Sequence, residues 1–495
     1  MAFSGYGAAL ECHSRLGGWA EYSEAQQCPH HQMHIDNHPL QPNVVVVGAG
    51  IAGLTAAHEL KQRGIHVVVV EADNRVGGRM TSDSIDGHIL DRGAQFLSTE
   101  YATILQLLHE TGLSEQIRPT SHYSAIIRGG SPRKMRADRP LDALKSGLLS
   151  WRAWLRFGWN SFQAGNDLRK RSLSDYSQWA AFDQQSVSDW MRHGAMRDVV
   201  NYLFEPMLQG FYFQTPEETS QALGLVLTAF GFRRSKTLTL NNGLGSLPEA
   251  LAANLDVRLN TPVSQISFSD DKVVITTSSG HILADRAILA VPAPIALRML
   301  DAPLLDTPTR HLLETPYTSS INVGLITDEE FALPEELDDV YGMLIPRSER
   351  IGIAAIGIEN NKRLGCRVTG HLLNMMFCHD RASRLMSLPA EMVVAEAVRN
   401  ASHYFPTLAQ HVTQSRVYRW PAAEPCSNIG RAINLRRYRD QCARQAPSLL
   451  LAGDYMSMPF TEGAAESGLW AAELLTRNTF ITTIGGSPFA SVQHR

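Results

Sequence analysis

The sequence predicts an α/β fold in which a parallel sheet flanked by helices is combined with a second domain of mixed α+β structure. A chain of 495 residues is longer than one compact core usually accommodates. Hydrophobic residues make up 44% and charged residues 19%, as in an ordinary soluble protein. The four valines at positions 44–47 form a β-branched run, which is typical of a parallel strand buried on both faces.

A glycine-rich turn follows this strand and opens a helix. Residues 48–53 read GAGIAG, and residues 54–62 are good helix formers that end before Gly64. Gly48 permits the tight turn, Gly50 lets a pyrophosphate approach the backbone, and Gly53 lets the helix pack on the strand. A phosphate is expected at the helix N-terminus. The pattern therefore predicts dinucleotide binding at the following residues: Gly48, Gly50, Ile51, Ala52 and Gly53.

A second apolar strand, residues 66–70, leads directly into an acidic residue. Glu71 stands eighteen residues beyond Gly53, at the spacing of the acid that binds an adenosine ribose hydroxyl. A carboxylate at this place disfavours a 2′-phosphate. Glu71 and the adjacent Ala72 are therefore candidate cofactor contacts.

Residues 71–80, EADNRVGGRM, resemble a segment of the flavin amine oxidase, protoporphyrinogen oxidase and phytoene desaturase group. Residues 89–96, ILDRGAQF, are similar to that group's D-x-G-a-q-f segment, and NAD dehydrogenases show no equivalent of the first segment. The resemblance implies FAD, with a Rossmann-type domain holding it. It also implies contacts beside the pyrophosphate from Gly78 and Arg79. Further flavin contacts are implied at Gly93, Ala94, Gln95 and Phe96.

Later segments extend the resemblance to most of residues 43–475. Residues 242–245 (NGLG), 287–292 (AILAVP), 449–454 (LLLAGD) and 462–468 (EGAAESG) occur in the order of the family. They imply a backbone contact to adenine at Val263 and cofactor contacts at Gly453, Asp454 and Ala464. A helix that starts near Gly463 would direct its positive end at the flavin.

These segments imply that two domains are interleaved. We expect an FAD-binding domain from residues 43–97, 236–302 and 421–478, and a substrate-binding domain from residues 98–235 and 303–420. Residues 1–42 are expected to be a flexible extension and residues 479–495 a tail. His30, His31, His34, His38 and Cys28 lack the spacing of a closed metal site, so no metal is predicted.

The substrate half departs from the amine oxidases of the family. Those enzymes carry a lysine on a strand comparable to residues 318–325, which here contain none. The segment around Trp420 resembles the R-W-p-x-a-x-P pattern of protoporphyrinogen oxidases, and Phe460 stands where a cage tyrosine would fall. Trp420 and Phe460 are candidates for a wall that faces the flavin. Cys426 does not match the family's flavin-linking cysteine, so non-covalent FAD is expected.

The leading hypothesis is an FAD-dependent oxidase or dehydrogenase that acts on a small apolar or amine-bearing molecule, with O₂ as the acceptor. It would remove a hydride from a C–H bond next to nitrogen or in a dihydro-heterocycle. The alternatives are a protoporphyrinogen oxidase, a true amine oxidase, a redox-neutral flavin isomerase or mutase, and a flavin-binding partner protein without activity.

Charge and composition limit the kinds of binding partner that we expect for this chain. The formal net charge is −4 without a long block of one sign, so nucleic acid is not expected. Six scattered cysteines and the lack of a signal-peptide pattern favour the cytoplasm. Residues 141–159 form a basic, aromatic helical pattern that could contact a membrane, line a substrate entrance or face the core. A homodimer is a further candidate assembly.

Overall fold

The computed structural model describes residues 42–136, 139, 144–192, 196–301, 305–350, 352–365 and 368–484. Most of the proposed N-terminal extension, with its histidines and Cys28, lies outside the described residues, as do positions 485–495 of the proposed tail.

The strands of the described residues follow in chain order. They are β1 (Val44–Val47), β2 (Val67–Val70), β3 (Ser82–Ile85), β4 (His88–Asp91), β5 (Leu97–Ser98), β6 (Ile117–Pro119), β7 (Tyr123–Arg128), β8 (Ser131–Met135), β9 (Thr237–Leu240), β10 (Asp256–Arg258), β11 (Val263–Ser269), β12 (Lys272–Thr277), β13 (Gly280–Ala284), β14 (Arg286–Leu289), β15 (Tyr317–Thr327), β16 (Val340–Leu344), β17 (Ile353–Ile358), β18 (Leu372–Phe377), β19 (Val412–Pro425) and β20 (Leu449–Leu451).

The α-helices of the described residues are also numbered in chain order. They are α1 (Ile51–Gln62), α2 (Ala102–Glu110), α3 (Trp151–Gln163), α4 (Gly165–Lys170), α5 (Val187–Trp190), α6 (Met196–Val199), α7 (Glu205–Tyr212), α8 (Gln221–Phe232), α9 (Ser246–Ala252), α10 (Ala293–Met299), α11 (Thr307–Leu313), α12 (Glu359–Lys362), α13 (His379–Leu385), α14 (Ala390–Ala401), α15 (Leu408–His411), α16 (Arg431–Gln445) and α17 (Thr461–Ile484).

A five-stranded parallel sheet has the order β10-β2-β1-β14-β20. All four valines of β1 are buried, because β1 lies between β2 and β14 and α1 packs against these strands. Val45 pairs with Val68 on one side and with Ala287 on the other. The sheet thus draws strands from distant parts of the chain, and the predicted strand, glycine turn and helix are all present.

A second sheet of seven strands has the order β19-β15-β18-β17-β16-β7-β8. Its neighbours are antiparallel except for the parallel pair of β16 and β7. Ile321, Val323 and Leu325 of β15 are buried in one apolar core with residues of β17, β18 and α14. This sheet positions β15 and β19, which both contribute residues to the site described below.

Helix α17 packs closely on α1. A Cβ atom added at Gly468 would lie 2.1 Å from the carbonyl oxygen of Ala52, so only glycine permits this approach of the two helices. Because Ala52 belongs to the first turn of α1, the contact brings the N-terminal part of α17 next to the glycine turn at residues 48–53.

Helix α3 begins ten residues later than the sequence pattern indicated. Gly147 has a positive φ of 70°, and the Ser150 side chain accepts a hydrogen bond from the amide of Ala153, which caps the helix start. Trp151, Leu155, Trp159 and Phe162 are 65%, 65%, 61% and 73% exposed, whereas Ala153 is buried. The helix therefore presents an apolar stripe to solvent. Among the described residues, no helix is long and apolar enough to span a membrane.

Candidate functional site

The turn at residues 48–53 has the shape of a phosphate cradle. Gly48 has φ +104°, and a Cβ atom at Gly53 would lie 2.0 Å from the carbonyl oxygen of Gly48. At Gly50, in contrast, an added Cβ would meet no protein atom within 4 Å. Gly50 is also the N-cap of α1 and, as a glycine, gives the amides of the first turn no capping side chain. That geometry fits the pyrophosphate of a dinucleotide.

Glu71 lies beside this turn at the end of β2. One carboxylate oxygen accepts a hydrogen bond from the amide of Ala49 at 2.7 Å, and the other accepts from the amide of Asp73 at 2.9 Å. An ionised carboxylate has about four acceptor positions, so ribose hydroxyls could still donate to it. Thr261 donates its amide to the carbonyl of Glu71 at 2.7 Å, which brings the segment leading to Val263 against the same edge.

The second glycine pair lies directly against the first turn. Gly77 donates its amide to the carbonyl of Ala49 at 2.8 Å and forms a parallel bridge with Gly50. Gly77 and Gly78 both have positive φ, 95° and 55°, so this path of the chain favours glycine at both positions. The predicted contacts from residues 48–53 and 77–79 are therefore adjacent in space, although the sequence separates them by a strand and a helix.

Arg79 connects three parts of the chain at this place. Its Nη1 atom donates to the carboxylate of Asp454 at 2.5 Å and to the carbonyl of Ala423 at 2.6 Å. Asp454 also accepts from the Tyr317 hydroxyl at 2.7 Å. Burial alone would lower the pKa of Arg79, but the charge of Asp454 raises it above its ordinary value. Both predicted cofactor residues, Arg79 and Asp454, thus belong to one charged cluster.

The C-terminal segment reaches this cluster through β20 and α17. Gly453 has φ +134°, and its amide donates to the Ser467 hydroxyl of α17 at 2.8 Å. Ala464, in the first turn of α17, donates its amide to the carbonyl of Phe460. The first two turns of α17 therefore lie next to Gly453.

Residues 93–96 run alongside Arg79. Ala94 donates its amide to the Arg79 carbonyl at 3.0 Å, and a Cβ atom at Gly93 would lie 2.4 Å from the same oxygen. The Gln95 side chain donates to the carbonyl of Gly93 at 2.8 Å, which rigidifies the segment. Trp420 donates its indole N–H to the carbonyl of Arg92 at 2.9 Å. The candidate Trp420 is thus attached to the predicted flavin segment.

Asp91, which directly precedes this segment, belongs to a buried network of four charges. The sequence did not predict this network. Asp91 forms ion pairs with Lys362 and with Arg363, each at 2.6 Å, and Glu359 pairs with the same two cations at 3.2 and 3.3 Å. Lys362 and Asp91 have no exposed side-chain surface. Burial would raise the pKa of Asp91, but Lys362 and Arg363 lower it from 3.8 to about 2.

Phe460 belongs to a cluster of rings that we call the aromatic wall. Its members are Phe96, Tyr101, Phe211, Tyr212, Phe230 and Phe460. Phe460 stacks on Tyr101 with ring centroids 5.4 Å apart and an interplanar angle of 6°, and it lies 6.5 Å from Tyr212. Phe96 of the flavin segment contacts Phe211 at 5.4 Å. The wall therefore connects the predicted flavin segment to α2, α7 and α8, which the sequence did not indicate.

Comparisons with known proteins agree with this geometry. The profile of the family described as flavin containing amine oxidoreductase matches residues 51–476. An L-amino acid dehydrogenase of Synechocystis sp. is 26% identical over 284 residues, which cover 52% of this chain and 58% of that protein. Protoporphyrinogen oxidase 2 of Arabidopsis thaliana is 35% identical over 179 residues, 36% of this chain and 34% of that protein.

The chain therefore spans between about a third and three fifths of the length of these two curated relatives. A crystal structure of a putative protoporphyrinogen oxidase from Exiguobacterium sp. 255-15 superposes with a TM-score of 0.67. Its sequence is 22% identical, and the superposition covers 88% of this chain and 98% of that one. At this identity the structural likeness shows the fold alone.

Proposed function

The chain belongs to the flavin-containing amine oxidoreductase family, and from this premise we propose that it oxidises a small apolar or amine-bearing molecule at a C–H bond next to nitrogen or in a dihydro-heterocycle. It is an FAD-dependent oxidoreductase, as the resemblance had implied. The substrate class, O₂ as the electron acceptor and a cytoplasmic location are part of the proposal.

The residues that would hold FAD are those assembled above. The first-turn amides after Gly50 would bind the pyrophosphate, Glu71 the ribose hydroxyls, and the segment at Val263 the adenine. Arg79 and Asp454 would lie along the pyrophosphate and ribityl region. When bound, FAD would supply the acceptor for one hydride, which carries both electrons of the oxidation.

The observation that carries the proposal is the aromatic wall beside the predicted flavin segment. Phe96 belongs to that segment, and Phe460 immediately precedes α17, which supports an apolar lining beside the place where we propose that the cofactor binds. An apolar lining excludes water from a reacting substrate and orients it. Trp420 and Phe460 would serve to shape this compartment, and no protein nucleophile is required.

One experiment separates the leading proposal from its alternatives. The purified holoenzyme is incubated in air with primary and secondary amines, dihydro-heterocycles and protoporphyrinogen while oxygen uptake, peroxide and products are measured. We expect oxygen uptake matched by peroxide and by a new C=N or C=C bond. Turnover of protoporphyrinogen alone would favour a protoporphyrinogen oxidase. Conversion that requires pre-reduced flavin and consumes no oxygen would favour an isomerase or mutase.

We expect FAD to be bound without a covalent bond. Among the described cysteines, Cys426 follows the Trp420 segment and Cys442 precedes residues 449–454, and burial raises the pKa of each of these two thiols to about 11. A thiol that stays protonated is a poor nucleophile. Acid precipitation should therefore release all flavin into the supernatant, whereas flavin that remains in the pellet would contradict the prediction.

The apolar stripe of α3 supports a peripheral contact with an anionic lipid surface. Leu155, Trp159 and Phe162 are mostly exposed, and Arg152 and Arg156 are exposed on the same helix. Aromatic and aliphatic side chains flanked by arginines are typical of helices that lie in a membrane interface. Another face of α3 does pack on the core, through Ala153, Trp154 and Phe157, so the exposed stripe is the part of the helix that is left for a lipid surface.

Exchanging Leu155 and Trp159 together for glutamate should abolish this contact. Burying one such side chain contributes about 1.5–3 kcal/mol, so the double variant should lower partition onto phosphatidylserine vesicles by more than about tenfold. Met392→Glu on α14, which is 55% exposed, serves as the control and should sediment like the wild type. Absence of wild-type binding would refute the membrane proposal, and a concentration-dependent dimer lost in the double variant would assign the stripe to a second copy.

A further inference from the structure

Glu424, close to the end of β19, is an acid that the fold leaves unsatisfied. In the described part of the chain, its Oε2 atom is buried without a hydrogen-bond partner. Neighbouring acids are satisfied: Asp454 bonds Arg79 and Tyr317, and Glu462 accepts from two amides at the start of α2 and from the Ser174 hydroxyl. A buried carboxyl without a partner is costly for a fold, and it indicates a partner that arrives from outside.

The backbone places Glu424 between the cofactor cluster and the aromatic wall. The preceding carbonyl, that of Ala423, accepts from Arg79 at 2.6 Å. On the other side, the Thr318 hydroxyl donates to the carbonyl of Glu424 at 3.2 Å and to that of Tyr212 at 3.1 Å. Glu424 therefore lies on β19 between Arg79 of the charged cluster and Tyr212 of the aromatic wall.

The electrostatics agree with this position. Burial raises the pKa of Glu424 well above its ordinary value, and Arg79 opposes the rise only in part. Burial raises the pKa of Tyr101 and of Tyr212, both members of the aromatic wall, and a charge on Glu424 adds to the rise in each case. Glu424 thus interacts with the cofactor side and the wall side simultaneously.

Two cations lie nearby and both donate to other groups, although the Nε atom of Arg431 is itself buried without a partner in the described part of the chain. Arg79 is held by Asp454 and by the carbonyl of Ala423. Arg431 donates to the carbonyl of Asp454 at 3.0 Å, to the carbonyl of Ser457 and to the Ser427 hydroxyl at 3.3 Å. Neither guanidinium is shown to bond the Glu424 carboxyl, so a positive or N–H-bearing ligand would find a carboxyl that is free to pair.

We propose that Glu424 anchors the nitrogen of the substrate and thereby selects ammonium or N–H-bearing molecules over apolar ones of the same shape. This inference rests on the proposed function and names its substrate class. An ammonium group would pair with the carboxylate in a site with little water, where such a pair is strong. The face of Phe460 that is not stacked on Tyr101 would stabilise the same cation. The carbon next to this nitrogen would then be held toward the flavin segment.

The test uses Glu424→Gln, which keeps the shape of the side chain but cannot ionise, in the holoenzyme. Benzylamine, cyclohexylamine and butylamine are titrated at neutral pH, each beside the alcohol of the same shape, and binding is followed by the shift of the flavin absorbance spectrum. Glu329→Gln, an exposed acid in the loop after β15, is the control. Flavin content is measured first in every variant.

We expect at least one amine to bind the wild type more tightly than its alcohol. Hydrogen bonds to charged groups contribute about 1.5–3 kcal/mol, so Glu424→Gln should weaken amine binding by about 10- to 100-fold. Alcohol binding, flavin content and the Glu329→Gln variant should be unchanged. The preference for amine over alcohol should disappear in Glu424→Gln.

Three outcomes would overturn the inference: no preference of the wild type for any of the three amines, a preference that survives in Glu424→Gln, or loss of FAD from that variant. The last outcome would assign Glu424 to the cofactor site instead. Because the titration measures binding without turnover, its result can be distinguished from a failure of the proposed oxidation. Amine binding that depends on Glu424 without oxidation of any substrate would contradict the proposed function alone.

Discussion

Replacing Lys362 by methionine is expected to lower the free energy of unfolding by about 3–5 kcal/mol, because it leaves a buried charge uncompensated. The network contains two cations and two anions, Lys362 and Arg363 with Asp91 and Glu359, so it is formally neutral. Without Lys362 it carries a net negative charge in a region without solvent. Because Asp91 begins the segment that leads to Gly93, flavin content should fall with stability.

The matched control is Lys134→Met on the surface. Lys134 pairs with Asp339 at 2.7 Å and lies 5.8 Å from the ring of Tyr123, as Lys362 lies 5.7 Å from the ring of Tyr341. Its side chain is 33% exposed, so the loss should be at most about 1 kcal/mol. Urea titrations followed by tryptophan fluorescence measure both variants. Equal losses of unfolding free energy in the two variants would show that burial of the network contributes nothing to stability.

The same network makes the stability of the fold depend on pH. The pKa of Asp91 is lowered from 3.8 to about 2, since Lys362 and Arg363 outweigh the effect of burial. A carboxyl with a lowered pKa stabilises the fold above its unfolded pKa, so this contribution is complete above about pH 4 and is lost as the pH falls through about 2. The loss over this window should be smaller in Lys362→Met than in the wild type.

Replacing Gly50 by valine is expected to lower FAD affinity by about 10- to 100-fold, because overpacking costs about 1–3 kcal/mol. The backbone of Gly50 has φ −73° and ψ 173°, which valine adopts readily, and no protein atom lies within 4 Å of an added Cβ. The new side chain would thus occupy only the space that we assign to the pyrophosphate. The unfolding midpoint of the apoprotein should therefore equal or exceed that of the wild type.

Two further variants make this prediction specific. Gly53→Val should damage the fold itself, because its Cβ would lie 2.0 Å from the carbonyl oxygen of Gly48. Gly231→Ala, where an added Cβ meets nothing within 4 Å, should change neither stability nor FAD binding by a large factor. FAD affinity is measured by titration of apoprotein with quenching of flavin fluorescence. Normal FAD affinity in Gly50→Val would mean that the phosphates bind elsewhere.

The sequence predicted those parts of the fold that depend on local pattern. The valines of β1, the glycine turn and the strand before Glu71 are specified by residues that are neighbours in the chain. Helix α1 nevertheless begins at Ile51, earlier than the helix formers suggested, and α3 begins at Trp151 because Ser150 caps it. Caps and left-handed glycines decide where a helix starts, and periodicity alone does not reveal them.

The sequence predicted residues of the site only where a segment resembles a motif of a known family. Glu424 and Lys362 were missed because their surroundings come from distant segments: Lys362 is 271 positions from Asp91, and Glu424 is 106 positions from Thr318. A signal was present for Glu424, since it is an acid within the apolar run 420–426 (WPAAEPC). Interpreting it required the sheet register that pairs Glu424 with Thr318 beside Tyr212.

The most direct test of the central claim is anaerobic mixing of the holoenzyme with each compound of an amine and dihydro-heterocycle panel. The visible absorbance of the oxidised flavin is recorded in a stopped-flow instrument, and oxygen is then admitted. The account predicts that at least one nitrogen-bearing compound bleaches the flavin in a single turnover and that oxygen restores the colour. A flavin that stays oxidised with every such compound, while a substrate without nitrogen reduces it, would contradict the account.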